Sequence, residues 1–61
     1  MSRILIKRYP NRRLYNTESS AYITLDDLAE LLVEGVQVTV IDNKSGDEIT
    51  QRVIVQAILT D

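Results

Sequence analysis

The chain contains no cysteine and no histidine. The first absence excludes disulfides and thiol redox chemistry. The two together exclude thiolate–imidazole zinc sites and every nucleophile arrangement built on a Ser–His–Asp or Cys–His pair. A cysteine-free chain fits a cytoplasmic location. No apolar run approaches the roughly 18 residues needed to span a membrane, so no membrane partner is expected. The opening "MSRILIKR" is too short and too charged to read as a secretory signal. Repeats, low-complexity tracts and linkers are also absent.

With 61 residues the sequence reads as a single domain, residues 1–61. A domain this short buries only about 60% of its unfolded surface. Small folds without staples often complete their core by oligomerising, so at least a dimer is expected. The chain stops at Thr60–Asp61 inside an apolar pattern, which leads us to expect a further C-terminal region.

The net charge of −2 argues against a polyanionic partner until its distribution is read. Residues 1–16 hold Arg3, Lys7, Arg8, Arg12 and Arg13 and no acid. Residues 17–61 hold two basic residues against nine acids. Screening limits each field to roughly 10 Å, so the basic end acts locally and points to an anionic partner there.

Alternation makes "RILIKRY", residues 3–9, a strand with Ile4 and Ile6 on one face and Leu5, Lys7 and Tyr9 on the other. Pro10–Asn11 follows as a turn, and "RRLYN" returns as a short second strand. Pro-Asn is not a favoured two-residue hairpin turn, so a wider loop stays open. "AYI" adds a short extended piece. Thr24 is a good N-cap for a helix over about 25–34, with Asp26 and Asp27 suited to its dipole. Leu25, Leu28, Ala29 and Leu32 form the apolar stripe, and Gly35 ends it. "VQVTVID" is a strand with Val36, Val38 and Val40 inward. Thr50 can cap a last helix over 51–60, whose core face is Val53, Ile54, Ala57 and Ile58. Val55 and Leu59 widen that apolar face, a second reason to expect a dimer. The fold class is α+β: a basic N-terminal β-hairpin, helix, strand and C-terminal helix.

Two readings of the hairpin compete. Charged residues on an exposed hairpin can simply be solvated and block edge-to-edge aggregation. Against this, the charge is of one sign, and most of it is arginine, which pairs with phosphate and guanine. Asn11, Asn16, Tyr9 and Tyr15 interleave with it; asparagine can pair with adenine, and tyrosine hydroxyls can bond phosphates. A two-stranded ribbon fits the major groove of double-stranded DNA. Ile4, Ile6 and Leu14 can be buried while Arg13 and Tyr15 project away; Arg8 and Arg12 cannot both be given a face without the turn geometry. Tyr9, Tyr15 and Tyr22 are the only aromatics, and the ordinary reading buries their rings in the core with hydroxyls out. Asn16 reads as structural.

The acids carry no catalytic pattern. Asp26–Asp27 are adjacent on a helix and do not face one another. "DNKSGDE" lacks the spacing and closing glutamate of a calcium loop. No convergent acid, base or nucleophile set is present, so neither an enzyme nor a cofactor is expected.

The stretches "IKRYPNRRLYNTESSAYITLDDLAELLVEG", "VIDNKSGDEIT" and "QAI" resemble the N-terminal DNA-binding domain of the polyhydroxyalkanoate (polyhydroxybutyrate) synthesis repressors, the accumulation regulators of bacteria. The resemblance covers about residues 4–59. It implies a transcriptional repressor that binds promoters of polymer-granule genes, such as those for phasins, and is released on binding polymer. It further implies DNA contacts through Tyr9, Asn11, Arg12, Arg13 and Tyr15, with Lys7 and Arg8 just upstream. Asn16 stands where that pattern usually has Asp, and Ser45 where it usually has Thr. Polymer is expected as a partner only through the missing C-terminal region. Two alternatives remain open: a protein-interaction or oligomerisation module that uses the hairpin and the apolar last helix, and single-stranded RNA binding through the tyrosines.

Overall fold

A computed structural model of the chain describes residues 3–59. Its elements are strand β1 (Arg3–Tyr9), a 3₁₀ turn (Pro10–Arg12), β2 (Arg13–Asn16), β3 (Ala21–Ile23), helix α1 (Leu25–Val33), β4 (Gln37–Asp42) and α2 (Thr50–Leu59). The four strands form one sheet in the order β3-β2-β1-β4. β1 pairs antiparallel with β2, and β2 antiparallel with β3. β4 lies parallel to β1 on the other side. The α+β architecture is the one expected, and the "AYI" piece is a full sheet strand.

Period-two alternation sorts the sheet into two unlike faces. Ile4, Ile6, Leu14, Val38 and Val40 point one way and are buried with Leu28, Ile49, Val53 and Ala57 from the helical layer. Ile6, Leu28, Val40 and Val53 are the largest fully buried side chains. Burying one such residue stabilises the fold by about 1.5–3 kcal/mol. No helix among the described residues packs on the opposite face.

Local chemistry explains where the helices sit. Thr24 and Asp27 form a reciprocal capping box: the Asp27 N–H donates to Thr24 Oγ1 at 3.1 Å, and the Thr24 N–H donates to Asp27 Oδ2 at 3.0 Å. Two orphan donors are thereby satisfied. At the far end Gly35 turns left-handed with φ 85°. Its N–H bonds the Leu32 carbonyl and that of Val36 bonds Leu31, both at 3.0 Å, which ends the helix.

Three expectations are corrected. Thr50 is the first residue of α2 rather than its cap; its hydroxyl is bonded to β4 instead. Ile58, assigned to the core face of α2, is 64% exposed. Only Val53 and Ala57 are buried on that helix, with Ile54 partly so, because at about 100° per residue Ile58 lies round the helix from Val53 and Ala57, at the rim of the buried stripe. Val36 precedes β4 and is half-buried against the core. Thr60, expected in the last helix, lies outside the described residues.

Candidate nucleic-acid interface

The hairpin registers Lys7 opposite Tyr15, Arg8 opposite Leu14 and Tyr9 opposite Arg13. Directly opposed residues share a face of the sheet. Lys7, Tyr9, Arg13 and Tyr15 therefore stand on the open face, and Arg8 stands with Leu14 on the helix side. β3 extends the open face, since Tyr22 lies opposite Tyr15.

This corrects the ordinary reading of the tyrosines. None of the three belongs to the buried core. Tyr22 is 57% exposed, and Tyr9 and Tyr15 are half-buried. Their rings meet edge-on in a closed trio: Tyr15–Tyr22 centroids at 5.2 Å, Tyr9–Tyr15 at 6.2 Å and Tyr9–Tyr22 at 6.3 Å. Odd-numbered positions in β1 and β2 all point away from the helices, so the rings pack on one another outside the core. Such edge-to-face pairs contribute about 0.5–1.5 kcal/mol each. The Arg13 guanidinium lies over the Tyr22 ring, 5.3 Å from its centroid.

The connecting loop is wider than a two-residue turn. Pro10, Asn11 and Arg12 bridge the Tyr9–Arg13 pair. Asn11 has φ 72° and Arg12 φ 61°. Asparagine tolerates this left-handed region; arginine adopts it at a cost of roughly 1–2 kcal/mol. The loop thereby holds Pro10, Asn11 and Arg12 exposed at the end of the ribbon.

Turn geometry also settles the position of Arg12. With Arg8 it lines a cleft of about 100 Å³ bordered by Leu14, Leu25, Val53 and Gln56. A wider opening of about 390 Å³ is formed by Arg8, Tyr9, Pro10, Asn11 and Arg12 together with Asp42 and Lys44. Lys44 is a cation that the sequence reading left out. The parallel β1–β4 pairing, with Arg8 opposite Asp42, brings the following turn beside the hairpin, and nothing local in the sequence signals it. Asp42 Oδ1 accepts from the N–H groups of Lys44 at 2.8 Å and Ser45 at 3.2 Å. Those two bonds, more than the nearby Arg8 and Lys44 charges, hold its carboxyl below the ordinary value.

The cations thus occupy both faces of the ribbon end: Lys7 and Arg13 on the open face, Arg8 and Arg12 on the other side, with Lys44 beside the loop. Asp26 borders the surface near Arg12 and Arg13. Among the described residues, however, no carboxylate forms an ion pair with Lys7, Arg8, Arg12 or Arg13. Asn16 does not join this surface. It is 7% exposed, and its Oδ1 accepts from the Glu18 N–H at 2.8 Å and the Ser19 N–H at 3.2 Å. It is structural, as its position suggested.

Residues 5–61 match the PHB/PHA accumulation regulator DNA-binding domain. The chain belongs to this family. By that membership it is a DNA-binding domain. It is similar to an uncharacterized protein of Allochromatium vinosum (strain ATCC 17899 / DSM 180 / NBRC 103801 / NCIMB 10441 / D), at 46% identity over 90% of this chain and 36% of that protein. It is also similar to an "uncharacterized protein in phbA 5' region" of Thiocystis violacea, at 44% identity over 90% of this chain and 40% of that protein. The regulator domain thus spans about two-fifths of the length of these relatives. No solved structure is matched significantly. No helix among the described residues is long and apolar enough to cross a membrane.

Proposed function

We propose that this chain is a single domain that inserts the end of its β1–β2 ribbon into double-stranded DNA and so represses genes of polyhydroxyalkanoate storage, phasin genes among them. One observation carries the reading: both faces of the ribbon end bear cations that no carboxylate among the described residues pairs with. A ribbon entering a groove has a phosphate backbone on either side. Lys7 and Arg13 suit one wall, Arg8 and Arg12 the other, and Asn11 at the loop is left to face base edges. Tyr9 and Tyr15 flank the loop, with hydroxyls suited to phosphate oxygens. The major groove, about 12 Å wide, admits a two-stranded ribbon.

Repression and the storage genes as targets draw support from family membership and from the relative named for the phbA 5' region. A homodimer presenting two ribbons to two half-sites draws support from the exposed Val55, Ile58 and Leu59 on α2. Release by polymer is proposed for the longer proteins of the family, through the remainder of those chains.

The test is a footprint on promoter DNA followed by a salt titration. About four neutralised phosphates per protomer give log K against log salt a slope near −3.6, doubled for a dimer. A folded Arg12→Glu/Arg13→Glu variant that binds as well as the parent would remove the reading. Salt-sensitive self-association in the absence of DNA, with no footprint, would replace it with the interaction-module alternative.

A further inference from the structure

We propose that Tyr22, on β3, is a positioning residue for Arg13, holding its guanidinium ready for a DNA phosphate. The inference rests on the reading above that Arg13 meets DNA. Tyr22 lies opposite Tyr15, and Arg13 is two positions before Tyr15 on the same strand. Arg13 and Tyr22 are therefore diagonal neighbours across β2 and β3, a separation that long and aromatic side chains bridge. The bridge is made: the guanidinium sits 5.3 Å from the ring centroid.

The ring is itself fixed. Tyr15 and Tyr9 meet Tyr22 at interplanar angles of 72° and 64°. These edge-on contacts leave a ring face for Arg13. All five guanidinium donors lie in the plane of the group. A guanidinium resting on an aromatic face therefore keeps its donor edge free to make paired bonds with phosphate. The aromatic trio sits outside the core, on a sheet face that no helix among the described residues covers, so it acts as a shelf for Arg13, the arginine at the loop end of that face. Arg8 and Arg12 have no aromatic ring beneath them among the described residues.

The experiment uses a fluorescein-labelled mixed-sequence duplex and follows affinity across salt. The Tyr22→Leu variant is expected to bind about 2–5-fold more weakly, the range of an exposed cation–π contact, with an unchanged salt slope because Arg13 is still present. Tyr22→Phe and Tyr22→Trp should restore binding. Arg13→Ala should lower the slope by about 0.9, and adding Tyr22→Leu to Arg13→Ala should cost nothing more. Without DNA, the Arg13 side-chain protons should carry a ring-current upfield shift in the NMR spectrum that Tyr22→Leu removes and Tyr22→Phe keeps. An equal loss from Tyr22→Leu with and without Arg13 overturns the proposal, since Tyr22 would then touch DNA itself or act through stability alone. If Tyr22→Leu does not fold, the Phe and Trp variants decide: loss of the Arg13 shift in either, with the fold intact, overturns it equally. Failure of the unaltered protein to bind the duplex at low salt removes the underlying DNA reading instead, and this proposal with it.

Discussion

Thr50 and Val40 are joined through both backbone groups of the strand residue. Thr50 Oγ1 accepts from the Val40 N–H at 2.8 Å and lies 3.4 Å from its carbonyl oxygen. The Ile49 N–H adds a 2.8 Å bond to that same carbonyl. β4 is a sheet edge, and edges expose unpaired groups that template aggregation. The start of α2 closes this edge.

Thr50→Val keeps the side-chain shape and leaves the Val40 N–H without its acceptor. The expected loss is about 1–3 kcal/mol, read by urea denaturation. Thr50→Ser should retain most of the stability, because the hydroxyl remains.

Asn16→Ala should be destabilising by about 1–3 kcal/mol, since the Glu18 and Ser19 N–H groups lose their shared acceptor. Asn16→Asp keeps an acceptor in place and should stay within about 1 kcal/mol of the parent. Thermal unfolding of the three proteins checks both values. DNA affinity should follow stability alone.

Asp42 makes stability depend on pH in the acid range. Its folded-state pKa lies below the ordinary 3.8, so the unfolded chain binds its proton first. The stabilising contribution is complete above about 3.8 and is lost as pH falls through the lower folded value. Asp42→Asn preserves the amide-accepting oxygen and should flatten that acid limb of a stability–pH curve measured by denaturant titration.

Arg12→Gly should relieve the left-handed strain at φ 61° and raise stability by up to about 1 kcal/mol. The same change should weaken DNA binding and reduce the salt slope by about 0.9. A gain in stability paired with a loss in binding would mark the strain as serving the contact. Equal binding by the two proteins would refute that.

Ile58→Lys and Leu59→Lys remove apolar surface that is 64% and 74% exposed in one chain. If a homodimer uses this face, sedimentation should show a shift toward monomer while the far-ultraviolet dichroism is unchanged. Unaltered mass would remove α2 as the interface.

Periodicity carried most of the fold. The alternation of Ile4, Ile6, Val38 and Val40 and the 3–4 spacing of Leu25, Leu28 and Leu32 each depend only on backbone geometry. The Thr24 N-cap and the Gly35 stop are equally local, and all of these could be read in order. Thr50 and Ile58 could not. A threonine before an apolar run caps a helix by default, but here the hydroxyl bonds Val40 of β4 and the Glu48 carboxylate. Ile58 borders the stripe of Val53 and Ala57, and whether the rim of a stripe is covered depends on how far the opposing layer reaches.

The candidate surface divides in the same way. Clustering of Lys7, Arg8, Arg12 and Arg13 within a ten-residue stretch is a property of the chain, as are the charge contrast with the acidic remainder and the resemblance to a DNA-binding family. Strand pairing decided the rest. It set Tyr22 beside Tyr15, laid Arg13 on the Tyr22 ring, turned Arg8 and Arg12 to the far side and brought Lys44 beside the loop. The reason is physical. Alternation and capping are set by neighbours a few residues away, whereas the contacts of an exposed cation depend on which distant strand the sheet places alongside it.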